Sequence, residues 1–485
     1  MGSDLMIRRI LMIDLTLMLK VDAGEPLYSQ IYQYIKKEIL NGKLSSQTRL
    51  PSIRALSTHL QISRNTVDLA YQQLVAEGYI YSKPRSGLYV NDLELETLSS
   101  TYLSNQKPST NSVQNSPNFR FNFRYGDVDA KHFPVATWRK ISNQSLHKMD
   151  LFSYGDPVGE LDLRIEISKY LHSSRGVNCS PDQIIIGAGV QYLLGILSSL
   201  IGQSNDSIAM EEPGYDGVRK IFQHNGFNVH PIPLEIDGIN IDKLYESKSR
   251  VVYITPSHQF PYGMVMPLAK RMQLLKWAQD QNGIIIEDDY DSEFRYSGKP
   301  IPSLQGMDNY HRTVYLGTFS KCLLPSLRIA YMVLPQPLLE LHNKQDYRLY
   351  DQTVSQLHQN TLMVFMNNGH WEAHIRKMRT VYRQKHNILI SMIRELMGSQ
   401  VTIIGQDAGL HILLHVHNGM DEQKLILTAE EEGAKVYPVS AFWAHQVDAE
   451  RSMVQIGFGG LSHEDIIEGV HSLYRAWFGN FNTIT

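Results

Sequence analysis

Val314-Tyr315-Leu316-Gly317-Thr318-Phe319-Ser320-Lys321-Cys322-Leu323-Leu324-Pro325-Ser326-Leu327-Arg328 is the stretch whose reading decides the fold. Its apolar run predicts a buried strand, after which a small polar turn presents one lysine. Hydroxyls precede Lys321, and Arg328 follows seven residues later. A lysine that is desolvated and held in place can condense with an aldehyde. Hydroxyls and a guanidinium suit a phosphate. Aldehyde and phosphate on one molecule point to pyridoxal 5'-phosphate (PLP), bound as a Schiff base to Lys321. Taken alone, Ser320-Lys321 is a weak signal, and a surface lysine after a strand is the plain alternative. Cys322 reads as a small residue of the turn.

Outward from this stretch, apolar strands alternate with helical segments. Gln183-Ile184-Ile185-Ile186 leads through Gly187-Ala188-Gly189-Val190-Gln191 into a helix over 192–200. The amides at that helix start can hold a phosphate. Strands at 207–210, 251–254 and 283–286 lead into Glu-Glu-Pro-Gly-Tyr215, Thr-Pro-Ser-His-Gln-Phe-Pro261 and Glu-Asp-Asp-Tyr-Asp291. Acids and tyrosines there stand at strand C-terminal ends, where open α/β sheets place ligands. The acids 287–289 admit three readings: a metal site, a solvated loop, or a carboxylate facing a pyridinium nitrogen with a tyrosine near the ring hydroxyl. Beyond residue 345 an amphipathic helix over 371–396, strands at 410–416 and 453–458 and a helix over 464–477 suit a smaller domain. His411, His415 and His417 lie at mixed spacing in a strand and read as ordinary strand histidines, so no metal is expected.

The first hundred residues carry a different pattern. Leu27, Ile31, Ile35, Ile39 and Leu40 recur at helical spacing up to Asn41-Gly42. Ser52, after Pro51, can cap a second helix over 53–60, and Ser63 a third over 64–77. Gly78 stops the third. Strands at 79–81 and 88–90 flank Ser82-Lys83-Pro84-Arg85-Ser86-Gly87. Helix, helix, turn, helix and basic hairpin make a winged helix-turn-helix, whose third helix enters a major groove of double-stranded DNA. Arg64 and Asn65 can pair with base edges, and Ser63 and Thr66 with phosphates. Arg54 and Ser52 face the backbone; Lys83, Arg85 and Gly87 form the wing.

Global charge gives no nucleic-acid signal, since 46 basic against 49 acidic residues leave a net of −3. Residues 20–91 differ, with nine Lys plus Arg against five Asp plus Glu, hence +4. The two cysteines, Cys179 and Cys322, fit a reducing cytoplasm. Residues 1–19 contain Arg8, Arg9 and Asp14 and lack an unbroken membrane-length apolar run. Ile13 to Leu17 alternates like a short strand. Residues 105–118 are Ser, Asn, Gln, Thr and Pro with little to bury, so they predict a tether.

Leu-Pro-Ser-x-Arg, Ser-Arg-Asn-Thr-Val and Glu-Gly-Tyr in the first part resemble the GntR family of bacterial regulators. The later part resembles fold-type I PLP enzymes of the aminotransferase family. Joined, from about residue 20 to the C-terminus, they resemble MocR-type regulators, most like the type that controls vitamin B6 synthesis. The resemblance implies an α/β chain in three parts. These are a winged helix-turn-helix domain over 20–91, a flexible linker over 92–118, and an aminotransferase-like body over 119–485. The body divides into a mostly parallel-sheet large domain, about 150–340, and a smaller α+β domain, about 345–485.

Site roles follow from the same resemblance. Lys321 holds the PLP aldehyde and Asp288 faces the ring nitrogen. Tyr290 faces the ring hydroxyl, and Tyr215 stacks on the ring. Gly189, Val190, Ser320 and Arg328 hold the phosphate. Phe260 stands where the family usually has an asparagine. Gly460 stands at the position of the arginine that grips a substrate carboxylate, and Arg219 lies a few places from a second family arginine. The expected function is a PLP-binding regulator that senses PLP itself and has no main role as an enzyme. An amino acid, dipeptide or amine as effector, or an active aminotransferase with an accessory DNA head, are the alternatives. A head-to-tail homodimer reading repeated half-sites, away from any membrane, is implied.

Overall fold

A computed structural model describes residues 19, 25–92, 119–147, 151, 153–202, 206–296, 302–344, 351–445 and 452–479. The strand expected at 13–17 and the linker residues 93–118 lie outside these. The chain divides into two compact units, residues 1–116 and 117–485.

In the first unit, helices α1 (Leu27–Leu40), α2 (Ile53–Leu60) and α3 (Arg64–Ala76) precede the hairpin of β1 (Ile80–Lys83) and β2 (Gly87–Val90). Ile31, Ile35 and Ile39 recur every fourth residue and are buried with Leu56, Val67, Tyr71 and Leu74. Ser52 and Ser63 accept from the amides of Ala55 and Thr66, each at 3.1 Å, and so start α2 and α3 where the sequence places them. Gln61 takes the left-handed conformation between the two helices, which produces the tight turn.

The second unit is built on two sheets. A short strand β3 (Phe121–Asn122) opens it. The large sheet contains β4 (Ile184–Gly187), β5 (Ser207–Glu212), β6 (Asn228–Glu235), β7 (Gly238–Ile239), β8 (Val251–Ile254), β9 (Ile284–Asp289), β10 (Thr313–Thr318) and β11 (Ala330–Val333). Their spatial order is β4-β11-β10-β9-β8-β5-β6-β7. The four central pairings are parallel, while β11 runs against both its neighbours. Strands buried on both faces need apolar residues throughout, which the runs Ile184–Ile186 and Val251–Ile254 supply. The C-terminal ends of β4, β5, β8, β9 and β10 therefore share one edge.

The small sheet contains β12 (Val401–Ile404), β13 (His411–Val416), β15 (Tyr437–Pro438) and β16 (Met453–Gly457), and the 28-residue helix α4 (His370–Met397) precedes it. A separate pair joins β3 to β14 (Ala434–Lys435) in parallel. Residues near 121 thus belong beside residues near 434, and the chain after β3 is led toward the large sheet's edge. No described helix is long and apolar enough to cross a membrane.

Candidate functional site

The strand ends converge on a cavity of about 450 Å³. All eight residues expected to bind the cofactor line it: Gly189, Val190, Tyr215, Asp288, Tyr290, Ser320, Lys321 and Arg328. They come from the ends of β4, β5, β9 and β10 or the turns that follow, and from the turn that leads into β11.

Lys321 follows β10 and lies with its ammonium nitrogen 3.8 Å from the centre of the Tyr125 ring. Desolvation brings its pKa down to about 8, against the opposing pull of Asp291, Asp127 and Asp288. A lysine in that range is a usable nucleophile near neutral pH.

Asp288 lies deeper. Burial, reinforced by Asp289 and Asp291, pushes its pKa up to about 7, although Tyr253 and Lys321 oppose this. Tyr253 donates to Asp288 Oδ2 at 2.5 Å, while Oδ1 is buried with no hydrogen-bond partner. A carboxylate held this way fits a protonated ring nitrogen, which satisfies the orphaned oxygen and restores the charge.

Its two neighbours face elsewhere. Glu287 accepts from the amides of Leu304 and Gln305, both at 2.8 Å. Asp289 pairs with Arg175 at 2.7 Å and accepts from Tyr315 at 2.5 Å. The three acids thus serve three separate partners, which removes the metal and solvated-loop readings of 287–289.

At the opposite end, Gly189 caps the helix Val190–Ile201 with φ +97°. A Cβ there would lie 2.1 Å from Arg328 Nη2, so only glycine admits the guanidinium. Arg328 Nη2 also donates to the Ala188 carbonyl at 3.2 Å, and Thr318 accepts from the Ser320 amide at 3.1 Å. Helix amides, two hydroxyls and a guanidinium around one point form an anion cradle.

Several lining residues were not singled out from the sequence. Arg124, Tyr125, Gly126 and Asp127 reach the cavity because β3 pairs with β14, a contact across more than 300 positions that no local pattern encodes. Phe260 is buried in an aromatic floor with Tyr125, Tyr215, Tyr290 and Phe442. A Cβ on Gly460 would stand 2.9 Å from Asp127 Cβ, so an acid is the nearest side chain there. Gln455 pairs with Leu413, which belongs to that aromatic floor, and so presents a neutral amide on the same face. Arg219 is buried against Glu212 at 3.1 Å and the Phe442 carbonyl at 2.6 Å.

Below the floor, His258, Asp291 and His411 form a buried cluster compact enough for a metal ion. Asp291, however, already accepts from His258 Nδ1, at 2.9 and 3.2 Å to its two oxygens. The carboxylate thereby orients the imidazole. Cys322 is buried, and burial pushes its thiol well above the ordinary range, so it packs rather than reacts.

In the first unit Ser52, Arg54, Ser63, Arg64, Asn65, Lys83, Arg85 and Gly87 are exposed, and Thr66 is half-buried. Arg54, Arg64, Lys83 and Arg85 make no ion pair among the described residues. A groove of about 740 Å³ between the start of α2, one face of α3 and the wing includes Ser52, Lys83 and Arg85. It adds Arg49, whose guanidinium packs over Gly87 at 3.2 Å from the place of a Cβ. The sequence offered only its basic character.

Residues 121–473 match the family described as aminotransferase class I and II, and residues 27–90 match bacterial regulatory proteins of the gntR family. An uncharacterized HTH-type transcriptional regulator YdeL of Bacillus subtilis is 45% identical, over 96% of this chain and 99% of that protein. The probable rhizopine catabolism regulatory protein MocR of Rhizobium meliloti is 32% identical over 95% and 96%. The HTH-type pyridoxine biosynthesis transcriptional regulator PdxR of Corynebacterium glutamicum is 30% identical over 93% and 96%. Among solved structures, a multiple substrate aminotransferase from Thermococcus profundus aligns with a TM-score of 0.68 and 25% identity, over 75% of this chain and 92% of that one.

Proposed function

This chain belongs to the MocR subfamily of GntR-type transcriptional regulators, and from that premise we propose that it binds PLP in the body and senses PLP itself to control vitamin B6 synthesis genes. One observation carries the choice of effector. With Lys321 and Arg328 assigned to the cofactor, the family's substrate-gripping arginine position is Gly460 by the resemblance, and the side chain nearest to it is the acid Asp127, which lines the cavity. A missing charge-assisted pair weakens an amino acid by about 1.5–3 kcal/mol, roughly ten- to hundredfold.

PLP supplies an aldehyde for an amine and a ring that draws electrons. The chain's residues do the rest. Lys321 attaches the aldehyde, Asp288 holds the ring nitrogen protonated, and Tyr215 covers the ring. Gly189, Val190, Ser320 and Arg328 hold the phosphate. In the head, Arg64 and Asn65 read bases. Ser52, Arg54, Ser63 and Thr66 hold the backbone, and Lys83, Arg85 and Gly87 place the wing. A cytoplasmic head-to-tail homodimer presents two heads to repeated half-sites. PLP alters DNA binding only to the extent that it binds the two states with different affinity.

The relatives support a regulator rather than a working enzyme, and the PdxR relative supports the vitamin B6 reading. A second reading, an amino compound as effector, is favoured by Arg124, an exposed cation that lines the same cavity with no ion pair among the described residues.

The test is DNA affinity of the full-length protein for the segment upstream of its own gene. PLP is expected to change that affinity, and amino acids added to the PLP-loaded protein are expected not to. A response to amino acids alone overturns PLP as effector, and steady turnover with a keto acid overturns the regulator-only reading. Arg64→Ala is expected to cost about 1–3 kcal/mol, a five- to hundredfold loss at moderate salt. Undiminished binding removes Arg64 from the interface. Gly189→Ala sets a methyl group against Arg328 and is expected to weaken PLP retention about tenfold or more, measured by equilibrium dialysis.

A further inference from the structure

We propose that the ring of Tyr125 is a dock for the Lys321 ammonium, one that competes with the PLP aldehyde and so limits how much PLP the protein retains near neutral pH. The inference rests on the PLP reading of the cavity and assigns a positioning role to a residue that the resemblance leaves without one.

The dock is built by backbone. The Phe123 amide donates to the Lys435 carbonyl at 3.0 Å, and the Gly457 amide donates to the Phe123 carbonyl at 2.9 Å. Tyr125 then passes so close to Gly457 that a Cβ there would stand 2.8 Å from its Cα. The Tyr125 ring packs against Phe260 at 5.1 Å and His411 at 4.8 Å between ring centres. Lys321 Nζ stands over that ring, 3.8 Å from its centre. Gly126 follows with φ +99°, and a Cβ on it would lie 3.1 Å from Lys321 Nζ. The missing side chain keeps the place over the ring open.

Desolvation favours the neutral amine, while Asp291, Asp127, Asp288 and Cys322 favour the ammonium. His411 lies near the lysine, and Arg124 and Arg328 line the same cavity. Among the described residues Lys321 makes no ion pair and no hydrogen bond, so the ring is its close partner. Burial pushes the Tyr125 phenol well above its ordinary range, so the ring is neutral. The attraction is that of an aromatic face for a cation, which is strongest where water is excluded.

Attachment of PLP needs the neutral amine. The ammonium gives one proton to solvent, its nitrogen bonds to the aldehyde carbon, and the aldehyde oxygen leaves as water. The ring holds the charged form and has little hold on the neutral one, so it opposes the first of these events. Its effect is present below the titration of the lysine and vanishes above it. A sensor must release its ligand when the level falls, and a dock for the detached lysine favours release.

The experiment follows acylation of Lys321 by acetic anhydride across pH in the full-length protein stripped of PLP, by mass spectrometry of the lysine's peptide. Tyr125→Leu is expected to lower the midpoint by about one pH unit. Tyr125→Phe keeps a ring and is expected to stay within about 0.3 unit of the parent. An unmoved or raised midpoint in Tyr125→Leu overturns the dock, and so does a Tyr125→Phe midpoint that moves as far. PLP retention, measured by equilibrium dialysis, is the second arm. From a midpoint of about 8, a fall of about one unit makes Tyr125→Leu roughly fivefold tighter than the parent near pH 7, with the gain gone by about pH 9.5. Weaker retention, or a change that is the same at both pH values, marks ordinary packing and overturns the proposal. Failure of the PLP reading shows separately, as a parent that retains no PLP while the acylation midpoints still differ.

Discussion

Lys321→Ala is expected to abolish the visible absorbance of the PLP-loaded protein, because among the described residues no other amine lines the cavity: its other cations are the guanidinium groups of Arg124 and Arg328. A band that survives unchanged rules out Lys321 as the attachment point. The same lysine makes a pH prediction. Its pKa is lowered, first by desolvation, to about 8. The neutral amine is the attacking form, so re-attachment of PLP to the stripped protein should quicken as pH rises toward 8 and level off above it. An exposed lysine would keep gaining up to about pH 10.4. Continued acceleration beyond pH 9 would falsify the lowered value while leaving the attachment point intact.

Arg175→Ala is expected to produce the largest loss of stability. Its guanidinium, 6% exposed, pairs at 2.7 Å with Asp289, 1% exposed, and donates to Ser257 at 2.7 Å. Removing one partner leaves a buried charge without its counterpart, at a cost of about 3–5 kcal/mol. Thermal unfolding of the body, followed by circular dichroism, should shift down by about 6–20 °C at the usual conversion for large domains. Arg175→Ala with Asp289→Leu should recover much of the loss, since the orphaned charge is then gone. A single variant as stable as the parent would show that Asp289 finds another partner. Asp289 adjoins Asp288 on β9, so the pair also holds in register the strand that presents the carboxylate to the cavity.

Much of the fold was legible in short-range pattern. Ser52 and Ser63 cap helices one turn before their apolar stripes begin, and the runs 184–186, 251–254 and 284–286 alternate with helical segments along the chain. Those signals are local, because caps and periodicity act within a few residues. Lys321, Asp288, Tyr215 and Gly189 were legible for the same reason: each stands at a strand or helix end that the pattern itself marks.

The sequence by itself therefore determined that a helical basic head precedes an α/β body, and that the body's chemistry gathers where its strands end. Tertiary structure alone decided which way each group faces. Three consecutive acids went to three different partners because successive residues of β9 point to opposite faces and each meets a neighbour from a distant part of the chain. Tyr125 and Asp127 entered the cavity through the pairing of β3 with β14. The Tyr290 hydroxyl met the His258 carbonyl across 32 positions of chain. Composition and spacing carry no record of such contacts, since a hydrogen bond depends on where two backbones have been brought, and the folded sheet alone brings them there.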